Sequence, residues 1–204
     1  VARPFRDQIE DSILDSAAAL FARRGFAKTS VQDLADAVGL SKAGLLHHFP
    51  SKEALHQAVL GQAEALGRRV VDQVDDLPAG PARDRHVLEF LVDVALAHPG
   101  LVAMLLAPLT QGEQEPAVAE LDAAGAAALL AFGVDPDAPP SERAIRVVGS
   151  LTALAVLTLA AHAQDQTSAW RPYIVATCFD ALGHHTTRHP GPGAALPVPD
   201  QVEA

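Results

Sequence analysis

Residues 25–55 read GFAKTSVQDLADAVGLSKAGLLHHFPSKEAL, and this stretch decides the fold. Its spacing predicts a short helix over Val31 to Val38, a tight turn at Gly39 and a second short helix from Ser41 to Phe49. Two short helices that cross steeply need apolar groups to bury the crossing, and Val31, Leu34, Val38, Leu40, Leu45 and Phe49 stand where that requires them. A small side chain, Ala35, falls where the helices touch. Gly39 suits a backbone position with positive φ, which other residues adopt only at a cost. The layout is that of a helix-turn-helix, which presents its second helix to a DNA major groove.

Further elements agree at matching spacing. Gly25 ends the preceding helix, Ser30-Val31-Gln32-Asp33-Leu34-Ala35 opens the next, and Gly39-Leu40-Ser41 runs through Phe49 to Lys52 and Leu55. This segment resembles the N-terminal DNA-binding domain of TetR-family transcriptional regulators. The resemblance covers roughly the first quarter of the chain. Leu46 stands where that family usually has tyrosine, and His48 where it has a second aromatic, commonly tyrosine. In relatives those positions often touch DNA phosphates, so the departures bear on the contact list and not on the fold.

A chain of 204 residues has room for one large domain or two small ones. Nearly half of it is apolar, aromatics are few, and Ala and Leu abound, which favours helices. No β-branched run alternates with period two, so the expected class is all-α. Cys178 is the single cysteine, which excludes an intramolecular disulfide and a cysteine metal cluster, and suits a cytoplasmic protein. No charged-then-apolar leader is visible.

Net charge is -10, but it is unevenly placed. Residues 1–55 balance, with seven Lys/Arg against seven Asp/Glu, and they hold all three lysines, Lys28, Lys42 and Lys52. The whole excess of acid lies in residues 56–204. DNA affinity depends on local phosphate neutralisation, so the local balance is the relevant one.

Helical spacing predicts a first helix from Phe5 to Arg24, with Ile9, Ile13, Leu14, Ala17, Leu20 and Phe21 on one face. Ser51 is the expected cap of a fourth helix that runs through Leu55, Val59, Ala63, Leu66 and Val70 and fades by Pro78. Beyond it the sequence reads as a bundle: helices over Arg83 to Ala97, Leu101 to Leu109 and Pro116 to Phe132, a long one capped by Ser141 and reaching Ala163, and a last one capped by Thr167 or Ser168 and ended by Gly183. These elements divide the chain into a reading domain (1–56), a regulatory and dimerisation domain (57–186) and a disordered tail (187–204). Sharing the fourth helix lets one domain move the other.

The long helix from Ala144 to Ala163 is apolar nearly all round. Arg146, His162, Gly149, Ser150, Thr152 and Thr158 within or beside it argue against a membrane span, as does the lack of an uninterrupted apolar run of about 20 residues. A helix apolar on every side is expected to be buried on every side, on its own bundle and on a second subunit. The resemblance implies a homodimer through the last two long helices. A dimer also places two recognition helices about 34–36 Å apart, for successive turns of a palindromic double-stranded operator.

Within the motif, Lys42 opens the second helix and is expected at a phosphate or a guanine edge. Ser41 caps that helix, Ala43 lies in its first turn, and Gly44 permits close approach. His47 is expected to face the groove. His48 lies nearer a backbone strand, or serves as a partly buried spacer beside Phe49. Lys52, in the first turn of the fourth helix, is expected to hold a phosphate. Thr29 and Ser30 either contact phosphate or cap the second helix, and Gln32 can reach a base.

Candidate walls of an effector cavity are Phe90, Val94, Met104, Leu105, Thr158, His162, Trp170 and Tyr173, apolar groups interspersed with a few polar ones, with core packing as the alternative for each. The remaining histidines lack metal-ligand spacing, and no nucleophile motif or phosphate-binding glycine loop occurs, so neither cofactor nor enzymatic chemistry is expected. The reading is a cytoplasmic, ligand-responsive, dimeric transcriptional regulator, most simply a repressor released from DNA by a small molecule. A regulator without a small effector, and a helical-bundle binding protein or enzyme with a vestigial helix-turn-helix, are the alternatives.

Overall fold

The structure, a computed structural model, describes residues 3–74, 76–111 and 119–184. Among these, nine helices follow one another with no strand: α1 Arg3–Arg24, α2 Val31–Ala37, α3 Lys42–His48, α4 Lys52–Asp72, α5 Pro81–Ala97, α6 Pro99–Gln111, α7 Ala119–Ala131, α8 Glu142–Ala163 and α9 Thr167–Ala181. The expected all-α class and the order of helices are met. The tail expected over 187–204 lies outside the described residues.

Serine caps set four of the helix starts. Ser30, Ser41, Ser51 and Ser141 each accept a hydrogen bond from the amide three residues on. That satisfies one of the free N–H groups at each terminus and is worth about 1 kcal/mol apiece. α5 starts differently, at Gly80 followed by Pro81, whose missing N–H lies where no partner would exist anyway. The expected Thr167 or Ser168 cap of α9 is not formed: Gln166 precedes the helix without a side-chain bond, and both hydroxyl residues lie inside it.

Two apolar clusters form the core. The first joins Ile13, Leu14, Ala17 and Phe21 of α1 to Leu34, Ala35 and Leu45 of the helix-turn-helix, Leu55 to Leu66 of α4, and Leu101 and Met104 of α6. The second gathers Val87, Leu88 and Val92 of α5, Val147, Leu154 and Ala161 of α8, and Ile174, Cys178 and Phe179 of α9. Burying a large aliphatic side chain is worth about 1.5–3 kcal/mol, so each cluster is held mainly by such groups.

At the start of α6 the backbone lies directly on α1. A Cβ added to Gly100 would sit 1.9 Å from the Asp15 carbonyl oxygen. The Asp15 side chain accepts from the Gly100 amide at 2.8 Å and the Leu101 amide at 3.2 Å, two groups with no partner inside their own helix. Burial raises the Asp15 carboxyl above its ordinary value, and the two amides, then His98 and His162, pull the other way without cancelling it.

Asp84 of α5 is fully buried and joins three parts of the bundle. Arg143 of α8 donates to one carboxylate oxygen at 2.7 Å, and His184, after α9, lies 2.6 Å from the other. Arg143 also donates to the Phe132 carbonyl at the end of α7.

Within a single chain α8 is buried along one face. Val147, Ser150, Leu154, Thr158 and Ala161 face inward, while Ile145, Val148 and Val156 are 68%, 51% and 53% exposed. Their spacing puts the three exposed residues on one stripe of the helix. The helix is therefore packed on one side only within a single chain. By length and composition alone it would also suffice for a membrane span. Its hydroxyls are placed as in a packed bundle: Ser150 donates to the Cys178 carbonyl at 2.9 Å, and Thr158 to the Leu154 carbonyl at 2.9 Å.

Candidate nucleic-acid interface

Gly39 has φ of +69°, and the Leu40 amide donates back to the Ala35 carbonyl at 2.9 Å, closing the turn between α2 and α3. Leu34, Ala35 and Leu45 are buried at the crossing, as the pattern requires. α2 is fixed at its start by a reciprocal cap. The Asp33 amide donates to Ser30 Oγ at 3.1 Å, and the Ser30 amide donates to Asp33 Oδ2 at 2.9 Å. Arg24 of α1 donates to Asp33 Oδ1 at 2.8 Å. The Ser30 side chain, then its amide, then Arg24 hold the Asp33 carboxyl below its ordinary value.

The expected contact residues separate into two groups. Ser30, Gln32, Ser41, Lys42, Ala43 and His47 are exposed, spread over the start of α2 and the outer side of α3. Gln32 donates to Asp36 at 2.7 Å, which orients its amide along α2. Gly44 is half-buried, and a Cβ there would meet the capping Ser41 hydroxyl at 3.3 Å, so the glycine leaves room for the cap. The other group is turned inward. Thr29 is buried and donates to the Gly25 carbonyl at 2.8 Å, so its hydroxyl closes the turn after α1 and does not cap α2. Lys52 is half-buried, donates to the Phe26 carbonyl at 3.0 Å, and stands 4.1 Å over the Phe26 ring.

His48 lies between the groups. Its Nδ1 is buried and has no hydrogen-bond partner, yet lies 3.5 Å from Glu10 Oε1 of α1. This is an ion-pair distance without hydrogen-bond geometry. Lys28, exposed on the turn before α2, adds a cation that the motif reading did not select. The concentration of lysines in this segment was the available signal.

The eight expected cavity residues are not gathered in one place. Met104 is buried in the α1–α4 cluster and Val94 packs against it. Phe90 and Trp170 pack on the bundle core, and the indole nitrogen of Trp170 is buried without a partner. Thr158 is buried with its hydroxyl on its own helix. Leu105, His162 and Tyr173 are exposed. Among the described residues, a groove of about 450 Å³ lies between α4 and α7, beside Gly67, Arg68, Arg69, Ala123 and Ala127, and none of the eight lines it.

Residues 13–59, the span from α1 into α4 just described, match the family model of bacterial regulatory proteins, tetR family. The helix-turn-helix segment, about a quarter of the chain, is thus of the TetR type. It is 50% identical to the HTH-type transcriptional repressor KstR2 of Rhodococcus jostii (strain RHA1) over 48 residues, which is 24% of each chain. It is 28% identical over 185 residues to an uncharacterized HTH-type transcriptional regulator of Mycobacterium tuberculosis (strain ATCC 25618 / H37Rv), covering 89% of this chain and 92% of that one. Its fold resembles that of a TerR/AcrR-family transcriptional regulator from Aquifex aeolicus VF5, with a TM-score of 0.52 at 18% identity over 86% of this chain and 98% of that one. The likeness to the HTH-type transcriptional regulator of Mycobacterium tuberculosis runs along most of the chain, while the likeness to the named repressor is confined to the segment that carries the helix-turn-helix.

Proposed function

We propose that this chain is a homodimeric, cytoplasmic repressor that reads a palindromic operator and is released from it by a small-molecule effector. The observation that carries the reading is the exposed surface of Ser30, Gln32, Ser41, Lys42, Ala43 and His47 on a rigid, fully capped helix-turn-helix. Lys42, with its side chain free to reach out, contacts phosphate or a guanine edge. Gln32 and His47 reach bases, and Ser30 and Ser41 reach phosphate.

Dimerisation is supported by α8. The stripe of Ile145, Val148 and Val156 is an apolar face that a second copy would cover. The acidic segment from residue 56 onward stays clear of DNA, and residues 1–56 form the reading domain. Repression follows the name of the relative that shares this segment. An effector that binds better to a conformer with different spacing between recognition helices would release DNA by shifting the population.

A second reading keeps the DNA reader and dispenses with the small effector. The dispersal of the expected cavity residues favours it. Thermal unfolding of the purified protein against a broad panel of metabolites and drug-like cations separates the two. A ligand at 100 times its Kd adds roughly 2.7 kcal/mol and raises the Tm. A hit that also dissociates the DNA complex supports the effector, and no shift across chemical classes favours control by a partner or by abundance.

A further inference from the structure

His48 occupies the last position of α3, and its side chain is partly exposed. The inner nitrogen, Nδ1, is shut off from solvent and unpartnered, and the side chain is 20% exposed. Glu10, one helix away, brings a carboxylate oxygen to 3.5 Å from that nitrogen. A buried nitrogen without a partner is a rare and costly arrangement, and a shift of less than 1 Å closes this one into a hydrogen bond. An imidazole whose Nδ1–H is bonded to a carboxylate leaves Nε2 as its remaining basic atom, and a second proton taken from solvent there makes the ring a cation that donates from both nitrogens.

We propose that Glu10 makes His48 a proton-linked phosphate contact, so that DNA binding draws one proton from solvent onto this imidazole. Protonated His48 would donate through Nδ1 to Glu10 and through Nε2 to a backbone phosphate. The phosphate and the carboxylate both favour the cationic ring, and the DNA brings the second of these anions. The inference rests on the DNA reading above and adds a condition to it: affinity depends on pH through one named pair.

Several other charged groups near α3 have partners of their own, while Lys42 is exposed. On α2, Asp33 is bound by Ser30 and Arg24, and Asp36 accepts from Gln32. At the start of α4, Lys52 is held on the Phe26 carbonyl, and Glu53 is exposed in the first turn, where its own amide and Ser51 keep its carboxyl low. On α1, Asp11 accepts from Gln62. His47 is the neighbour that can imitate the effect, since its ring lies edge-on to that of His48 with centroids 5.9 Å apart. It is exposed, and among the described residues no carboxylate stands at ion-pair distance from it, so the dependence on Glu10 distinguishes the two.

The test is the affinity of the full chain for a labelled mixed-sequence duplex by fluorescence anisotropy, at fixed ionic strength, from about pH 8 to about pH 6. Wild type, Glu10→Gln, His48→Gln, the double variant and His47→Gln are compared, with circular dichroism confirming each fold. The expected result is a three- to tenfold gain of wild-type affinity per pH unit, limited by one proton. His48→Gln should remove most of that slope, Glu10→Gln should reduce it, and the double variant should match His48→Gln. His47→Gln should keep the part that Glu10 controls. A wild-type slope unchanged by His48→Gln, or by Glu10→Gln, overturns the inference while leaving the DNA reading intact. A wild-type chain that binds no duplex at any pH overturns both.

Discussion

The Lys52 ammonium donates to the Phe26 carbonyl at 3.0 Å and stands over the Phe26 ring, so it fastens the start of α4 to the turn that precedes α2. Lys42, ten residues earlier, is exposed at the start of α3. The two lysines should therefore respond differently to removal. Lys52→Ala strands a carbonyl and loses a cation–π contact, and should lower stability by about 1–2 kcal/mol in urea unfolding. Lys42→Ala should leave stability within about 0.5 kcal/mol and still weaken DNA binding, with a salt slope reduced by about 1. Equal stability losses in both variants would refute the separation.

Asp84 should be the most sensitive charged residue of the bundle. It is buried against Arg143 and His184, and its removal leaves Arg143, itself partly buried, without its carboxylate. Asp84→Ala is expected to lower stability by about 3–5 kcal/mol, read from the urea midpoint at unchanged slope. A loss below 1 kcal/mol would show that the three helices do not depend on this junction.

Asp15 makes stability depend on acid pH in a stated direction. Its carboxyl is raised in the folded protein, chiefly by burial, so the native state holds this proton more tightly than the unfolded chain does. The contribution of Asp15 to stability is therefore fully present below its unfolded value, near pH 3.8, and declines as pH rises through the raised one. Asp15→Asn keeps an acceptor for the Gly100 and Leu101 amides without the charge. Relative to wild type it should gain stability as pH rises across that window and hold the gain above it. A difference that shrinks with rising pH would contradict the assignment. Gly100→Ala, by contrast, forces α6 off the α1 backbone and should cost at least about 1–3 kcal/mol at any pH.

Much of this was legible in the sequence, and the reasons for the rest are local. Caps and periodicity located the helices because a serine three residues ahead of a free amide and an apolar stripe are both short-range signals. Gly39, Ala35 and Leu45 were readable because the helix-turn-helix fixes its spacing. Thr29 and Lys52 were not: whether a hydroxyl or an ammonium faces outward depends on where the Gly25 and Phe26 carbonyls point, which pattern does not encode. The Asp15–Gly100 and Asp84–Arg143–His184 junctions bring together residues far apart in sequence, and no periodicity announces them. α8 was read as apolar all round, and its exposed side appears only once the inward face is known.

Cys178 should be chemically quiet. It is fully buried, and burial pushes its thiol up to about 11, with the Ser150 hydroxyl opposing weakly. The thiolate is the reactive form, so a disulfide reagent at about pH 8 should label the native protein far more slowly than the urea-unfolded chain. Rapid native labelling would place the α8–α9 packing in doubt.

The proposed dimer interface is the exposed stripe of α8. Val148→Asp or Val156→Asp puts a charge on the stripe of a helix whose inner face is untouched, and should yield a folded monomer in sedimentation with weakened DNA binding. A variant that stays dimeric would move the interface elsewhere.

The central claim is that two copies of this helix-turn-helix read a specific duplex. Selection of bound fragments from a randomised duplex library, followed by sequencing, tests it most directly. The account predicts enrichment of an inverted repeat whose half-sites lie about one helical turn, or a multiple of it, apart, with loss of the enriched binding in Lys42→Ala. A recovered pool no different from the starting library would contradict it.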